Sequence, residues 1–184
     1  MRLAVEIIFP TWLLLDCLAQ FGRERPETRV ELIESVLAGT DEALLEGRVD
    51  LAIGSVVPGG FIGEPLMQIK FVCAAAPTHP LHLLDRELTL DDLRDYRHLV
   101  IRDSGARRTR SGGWLNENRW TVSHKATSIR AACMGLGYAW FPEEGIREEL
   151  QAERLRPLHR RLAQLRQLLK RSTEWSSAAL RLQF

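Results

Sequence analysis

Residues 3–54, LAVEIIFPTWLLLDCLAQFGRERPETRVELIESVLAGTDEALLEGRVDLAIG, decide the fold class of this chain. Three short apolar and β-branched runs predict strands, and they lie at Leu3–Phe9, Val30–Val36 and Val49–Ile53. The segments between these runs have helical patterns, of which the first carries apolar residues at helical spacing. This alternation of strand and helix implies parallel strands joined by right-handed crossovers.

The same alternation recurs in residues 96–158. Strands are predicted at His98–Ile101, Trp120–Ser123 and Tyr138–Phe141, and helices are expected between and after the last two. The segment Thr89–Asp92 has the pattern of a capping box that opens a short helix. The chain is therefore predicted to form two similar small α/β lobes.

The lobe boundaries follow from where the two patterns end. Lobe I is predicted over 1–75 and lobe II over 76–158, with the chain crossing between them near 73–80. Residues 159–184 differ in composition, because they are leucine-rich and basic. An amphipathic helix that packs on lobe I is one interpretation of this tail.

Composition limits the classes of function. The chain has 184 residues, 45% of them hydrophobic and 27% charged, which suffices for a core without metal or disulfides. The net charge of +1 gives no electrostatic argument for binding nucleic acid. No apolar run is long enough to span a bilayer and no signal-peptide pattern begins the sequence, so a cytoplasmic protein is expected. Cys17, Cys73 and Cys133 lie among apolar neighbours and are expected to be reduced core residues.

Six short segments, taken together in their order along the chain, carry more information than any one of them alone. They are Arg29–Leu32, Gly39–Thr40, Leu44–Gly54, Ala74–Leu81, Gly135–Pro142 and Leu155–Leu158. Together they resemble the effector-binding half of LysR-type transcription regulators. The resemblance covers the chain from about Leu3 to Leu158.

The resemblance implies a periplasmic-binding-protein-like fold of two Rossmann-like lobes, with mostly parallel sheets and helices on both faces. It also implies a small-molecule effector in the cleft between the lobes and a homodimer formed through the lobes. The family's winged helix-turn-helix is missing from this sequence, so the chain is not expected to bind operator DNA alone. Residues 159–184 do not resemble the family's closing strand and helix.

Two turns of lobe I are candidate effector contacts. Ligands of open α/β sheets bind beyond the carboxyl ends of strands, where helix N-termini favour an anion or a polar oxygen. The first candidate is Phe9-Pro10-Thr11, for which a plain turn is the alternative. The second is Gly39-Thr40, followed by a predicted helix over Asp41–Glu46 that Thr40 is expected to cap.

Lobe II offers three further candidates. Thr127 and Ser128 are expected at the start of a helix, where capping is the more secure expectation than effector contact. Asp103-Ser104 follows a predicted strand. Phe141-Pro142 is expected either to line the cleft or to pack in the core.

The loop after residue 101 and the start of the strand that follows it hold residues suited to anionic or aromatic ligands. Guanidinium groups form bidentate bonds with carboxylates, and indole rings stack on aromatic molecules, although solvated arginines and core or hinge tryptophans are the commoner cases. These residues are Arg102, Arg107, Arg108, Arg110, Trp114 and Trp120.

No catalytic or metal pattern is recognisable in the sequence, so no enzyme activity, cofactor or metal is predicted. The spacing of His79 and His82 would suit a metal only with two more ligands, which the sequence does not indicate. Two alternatives to a regulator share the expected architecture. One is the solute-binding protein of a transporter, and the other is an enzyme with its active site in the cleft.

Overall fold

A computed structural model describes residues 1–84, 86–106 and 118–158, and the backbone of residues 177–182. These residues form two compact units. The described part of unit 1 is 1–69, 103–106 and 177–182, and that of unit 2 is 70–84, 86–102 and 118–158. In these ranges no helix is long and apolar enough to cross a membrane.

Unit 1 is built on strand and helix alternation, as predicted. In chain order its elements are β1 (Arg2–Glu6), α1 (Thr11–Glu24), β2 (Glu31–Ser35), α2 (Ala38–Leu45), β3 (Leu51–Gly54), β4 (Ile62–Gln68) and β10 (Ser177–Leu182). The sheet order is β2-β1-β3-β10-β4. The first three strands are parallel, and β10 lies antiparallel between β3 and β4.

Part of the tail, residues 159–184, lies within the sheet of unit 1. β10 pairs with β3 over Ala179–Leu182 and with β4 over its whole length, with a shift of register between Ala178 and Ala179 on the β4 side. Residues 177–182 therefore return to this unit as a strand. The predicted helical face around Leu162–Leu169 lies outside the described residues.

The core of unit 1 forms where α1 packs on the sheet. Leu14 is buried against Leu3 and Val5, with Leu18 partly buried beside them, as the helical stripe predicted. Cys17 is an exception, because it lies on the outer face of α1 and is exposed. The expectation that every cysteine is a core residue was therefore wrong for this position.

Unit 2 combines parallel and antiparallel pairing. Its elements are β5 (Phe71–Ala75), α3 (Leu90–Arg94), β6 (His98–Ile101), β7 (Arg119–Val122), α4 (Lys125–Cys133), β8 (Ala139–Pro142), α5 (Arg147–Gln151) and β9 (Arg156–Pro157), with 3-10 turns at Pro80–His82 and Glu143–Ile146. β6 and β7 are parallel, whereas β5 is antiparallel to both β8 and β9. Unit 2 thus has one antiparallel sheet of three strands and one parallel pair.

The units differ in extent from the predicted lobes. Unit 1 ends at Ile69 in the first part of the chain, and β5 belongs to unit 2 because its partners are β8 and β9. Residues 103–106 belong to unit 1, although they directly follow β6 of unit 2.

Candidate functional site

A buried carboxylate lies at the carboxyl end of β1. Glu6 is 2% exposed, and its Oε2 accepts a hydrogen bond from the Ser55 amide at 2.9 Å. Burial raises the pKa of Glu6, and the nearby charge of Asp41 raises it further. Hydrogen bonds from Ser55 and from the Leu37 amide lower this pKa, but by less than burial raises it.

The turn between β2 and α2 has an unusual backbone. Leu37 has φ 52° and ψ −117°, a backbone conformation that residues other than glycine rarely adopt. This turn starts α2 at Ala38, three residues before the predicted start, and Leu37 is the capping position. Thr40 therefore does not cap the helix, and that prediction was wrong.

Thr40 instead belongs to a buried pair of hydroxyl groups. Its Oγ1 lies 2.7 Å from Oγ of Ser35, and both residues are buried. One hydroxyl donates a hydrogen bond to the other, which uses one of the two hydroxyl protons. The second hydroxyl proton is not used within the pair. A β carbon on Gly54 would lie 3.1 Å from Thr40 and 3.8 Å from Glu6, so the three residues are neighbours.

Residues 103–106 pack against the same turn. Ser104 Oγ accepts a hydrogen bond from the Val36 amide at 2.8 Å and lies 3.2 Å from the Val36 carbonyl, to which it donates. Gly39 makes this approach feasible, because a β carbon there would lie 1.9 Å from Ser104 Oγ. Glu42 of α2 accepts the amide of Ala106 at 2.7 Å, which fixes the other end of the segment.

Asp103 is buried, at 4% exposure, and its Oδ1 accepts the Gly105 amide at 2.8 Å. Two predicted candidates, Asp103 and Ser104, are thus brought together with Gly39 and Thr40. The structure assigns all four to unit 1, whereas the sequence assigned the first two to lobe II.

The start of α1 is the remaining candidate in this unit. β1 ends at Glu6, three residues earlier than predicted, because the Phe9 amide turns back to the Glu6 carbonyl at 2.9 Å. Phe9 is 7% exposed and packs with Leu3 and Val5. Pro10 occupies the capping position, and Thr11 is the exposed first residue of the helix.

In unit 2, α4 begins earlier than predicted. His124 occupies the capping position without a side-chain hydrogen bond, so neither Thr127 nor Ser128 caps the helix. Thr127 is exposed. Ser128 is 1% exposed, and within the described ranges its Oγ has no hydrogen-bond partner.

Phe141 and Pro142 are both buried at the end of β8. Phe141 is 1% exposed and packs with Val72, Leu99 and Ile146, so it has the core environment that was the alternative to lining a cleft. Trp120 is 45% exposed, so it does not lie in the core, which was one of the two positions, core or hinge, expected for it. The Arg97 guanidinium lies 4.0 Å from the centroid of its ring. Arg107, Arg108, Arg110 and Trp114 lie outside the described residues.

Three residues of the unit 1 cluster were not candidates from sequence. They are Glu6, Ser35 and Ser55. A signal did exist for Glu6, because it is the only charged residue in the apolar run Leu3–Phe9. For Ser35 and Ser55 the signal was weaker, since each merely ends or follows a strand.

A family model for the LysR substrate binding domain matches residues 1–181. The chain belongs to this family. The resemblance drawn from sequence is thereby confirmed, and it extends through most of the tail, which had been expected to differ. The match agrees with the position of β10 in the sheet of unit 1.

The chain spans about half the length of the curated relatives it matches. The uncharacterized HTH-type transcriptional regulator YeeY of Escherichia coli K12 is 28% identical over 146 residues, which is 76% of this chain and 47% of YeeY. The HTH-type transcriptional regulator PunR of the same strain is 27% identical over 141 residues, covering 74% of this chain and 46% of PunR.

Solved structures support the fold. The regulatory domain of Synechocystis CcmR, in complex with 2-PG, has a TM-score of 0.70 at 15% identity, covering 100% of this chain and 86% of that one. The regulatory domain of Neisseria meningitidis MetR has a TM-score of 0.68 at 18% identity, covering 100% and 83%. The predicted two-lobed α/β class of periplasmic-binding-protein type is confirmed, with mixed sheets in place of mostly parallel ones.

Proposed function

We propose that this chain is the effector-sensing domain of a LysR-type transcription regulator. Family membership and the regulator names of its relatives support this function. One structural observation carries the assignment to residues. Buried polar groups gather at the carboxyl ends of β1 and β2 and in the first turn of α2, namely Glu6, Ser35 and Thr40.

That location is where open α/β sheets bind ligands. Gly39, Thr40, Asp103 and Ser104 are the effector residues we propose in unit 1, together with Phe9, Pro10 and Thr11 at the start of α1. In unit 2 we propose Thr127, Ser128, Phe141 and Pro142. Ser128 has the best support among these four, because a buried hydroxyl without a partner is costly unless something else satisfies it.

Effector binding would act by shifting populations. An effector changes the balance between two arrangements only to the extent that it binds one more tightly than the other. In the full regulator we propose that this shift controls DNA contact by a helix-turn-helix domain, which the relatives' names include. A regulator of this kind works in the cytoplasm, binds a small molecule and catalyses no reaction.

We propose that the regulator is a homodimer. The outer face of α1 supports this, because Trp12 and Leu15 are 48% and 55% exposed on one helix. Apolar surface at this position suits a self-complementary interface. We expect Leu15→Arg to yield monomers in light scattering, whereas Leu83→Arg, at an exposed apolar residue of unit 2, should leave the mass unchanged. Equal masses for wild type and Leu15→Arg at all concentrations would contradict the proposal.

The effector can be sought by thermal shift. A ligand that binds only the folded state raises the unfolding midpoint, so a panel of amino acids, nucleosides, carboxylates and phosphorylated acids including 2-PG should contain a stabilising compound. A panel-wide absence of any shift would count against effector sensing. Chemical turnover of a stabilising compound would instead favour an enzyme.

Titration of a stabilising compound would then test the residues. We expect Thr40→Val and Ser128→Ala to weaken binding by about tenfold, corresponding to one lost hydrogen bond. Thr121→Val, at an exposed position of β7, is the matched control. Unchanged affinity in both site variants would remove the site assignment while leaving the family assignment intact.

A further inference from the structure

Several backbone amides around the proposed effector site are already hydrogen-bonded within unit 1. Three of them donate to nearby carbonyl groups, namely Gly39 to Val36 at 3.1 Å, Thr40 to Leu37 at 3.4 Å and Phe9 to Glu6 at 2.9 Å. Anions usually bind at such helix starts because the N–H groups there lack partners. Each amide has one hydrogen, so these three have none to spare for a ligand.

Carboxylate side chains hold three further amides of the same site. Glu6 accepts from Ser55 at 2.9 Å, Asp103 from Gly105 at 2.8 Å and Glu42 from Ala106 at 2.7 Å. A carboxylate that accepts from backbone N–H groups is itself a bound anion. The protein's own acids therefore take the place that the oxygens of an anionic ligand would occupy.

The charged residues of this site all have the same sign. Segments 6–11, 35–42, 54–57 and 103–106 contain Glu6, Asp41, Glu42 and Asp103, and they contain no lysine, arginine or histidine. Asp41 lies in the first turn of α2, where its charge complements the helix dipole. An anionic ligand would meet like charges here, whereas a cation would be attracted.

The site is rich in acceptors and has apolar surface beside them. A carboxylate has two oxygens with about four lone-pair positions, and one amide uses only one of these. The buried hydroxyl pair of Ser35 and Thr40 adds further lone pairs. Val56 and Val57 directly follow Ser55 and are 39% and 41% exposed, so a ligand here also meets aliphatic side chains.

We infer that the effector of this chain is an uncharged or cationic hydrogen-bond donor with an apolar body, and not an anionic acid. An amine, an amide or a heterocycle with N–H groups fits this description, whereas a carboxylate or a phosphate does not. This inference rests on the proposed function for the place of the site, and it adds the chemical class of the ligand.

The charge preference can be measured without knowing the effector. Two small nitroxides of the same skeleton, one bearing an ammonium group and one a carboxylate, are added separately to the labelled 184-residue chain at pH 7. At the amides of Ala38, Val56 and Ala106 we expect the cationic probe to enhance proton relaxation about threefold more than the anionic probe. At Trp120, beside Arg97, the ratio should be below one. A ratio of one or less at all three site amides would overturn the inference.

Glu42→Gln links that ratio to the site. The glutamine oxygen can still accept from Ala106, so the segment stays in place while one charge is removed. We expect the ratio at Ala106 to fall about 1.5-fold. Glu24→Gln, at the exposed far end of α1, makes the same change in net charge and is the matched control. Equal falls in both variants would show that net charge alone sets the ratio, which would contradict the inference.

The ligand class itself is tested by thermal shift with matched compounds. Phenethylamine, phenylacetamide and phenylacetate share one apolar body and differ in charge and in hydrogen-bond donors. We expect the amine or the amide to raise the unfolding midpoint at concentrations where the carboxylate leaves it unchanged. A carboxylate or phosphate that stabilises the chain, and binds Thr40→Val more weakly, would overturn the inference but support the proposed function. A full effector panel without any shift would remove the proposed function, while the nitroxide ratios would still report whether this surface repels anions.

Discussion

At the scale of single residues, the space around a glycine decides whether a methyl group is tolerated. Gly39 and Gly22 both lie in helices, but a β carbon on Gly39 would lie 1.9 Å from Ser104 Oγ, whereas one on Gly22 would meet nothing within 4 Å. We expect Gly39→Ala to lower the free energy of unfolding by about 1–3 kcal/mol in urea titration, because Ser104 must leave Val36.

Gly22→Ala provides the control for that experiment. Alanine is the better helix former, so this variant should gain up to about 1 kcal/mol of stability. A Gly39→Ala protein as stable as wild type would show that Ser104 moves away freely and that residues 103–106 are not held on α2.

The residue scale also shows what sequence could and could not predict. Gly39-Thr40 and Asp103-Ser104 were both singled out from sequence, and the structure brings the two pairs together in unit 1. Their mutual contact could not be predicted, because it joins residues 65 positions apart through one hydroxyl group. Glu6 was visible as a lone acid in an apolar run, but only the structure shows that it is buried and that the Ser55 amide donates to it.

At the scale of elements, two threonines near helix starts should behave differently. Thr89 caps α3 through a reciprocal pair of hydrogen bonds with Asp92, at 3.2 Å and 2.7 Å. Thr127 was predicted to cap α4 but lies exposed inside its first turn. We expect Thr89→Ala to lose about 1 kcal/mol of stability in urea titration.

Thr127→Ala is the paired measurement and should be neutral or slightly stabilising, because alanine favours the helix by about 0.5 kcal/mol. A loss at Thr127 as large as that at Thr89 would show that α4 begins later than Lys125. The contrast distinguishes the Thr89 cap, whose two partners Thr89 and Asp92 are both recognisable in the sequence, from the Thr127 cap, which was inferred from residue type alone.

The last strand is the element that sequence missed most clearly. β10 carries its hydrogen bonds to β3 and β4, and its neighbours in sequence gave no turn signal that pointed back to residues 51–68. We expect Ala179→Pro to lower the unfolding free energy by about 3 kcal/mol, because proline removes an amide from the interior of a sheet. Ala179→Val, which favours a strand, is the control.

Hydrogen exchange would show whether that loss arises in the sheet. Amides of β3 should lose protection in Ala179→Pro, while those of β5 keep it. An unchanged protection pattern in β3 would contradict the pairing of β10. β4 escaped prediction for a related reason, since Gly63 and Pro65 interrupt it and most of its residues are exposed.

At the scale of the whole molecule, each unit buries a titratable group, and burial shifts the pKa values of these two groups in opposite directions. Unit 2 buries His98, which is 2% exposed and stacked on Tyr138 with ring centroids 5.0 Å apart. Burial, with a smaller effect from the positive charge of Arg119, lowers the pKa of His98 from 6.5 to about 4. Unit 1 buries Glu6, whose pKa is raised from 4.5.

The sign of each effect follows from proton binding. Between pH 6.5 and about 4 the unfolded chain protonates His98 while the folded chain leaves it neutral, so stability falls as the pH falls. From pH 7 to pH 5 this loss amounts to about 2 kcal/mol. Glu6 acts in the opposite direction, because the folded state binds its proton more readily than the unfolded state above pH 4.5.

Acidification from pH 7 to pH 5 should therefore weaken unit 2 selectively. We expect amide exchange, corrected for the intrinsic effect of pH, to lose protection in β5 and β8 but not in β1 and β3. His98→Phe keeps a flat ring beside Tyr138 and removes the titrating group, so it should abolish most of the loss in unit 2. His124→Asn, at an exposed position, should leave the loss of protection in unit 2 unchanged. Equal loss of protection in both units, or a full loss in His98→Phe, would contradict the assignment of the acid response to this buried imidazole.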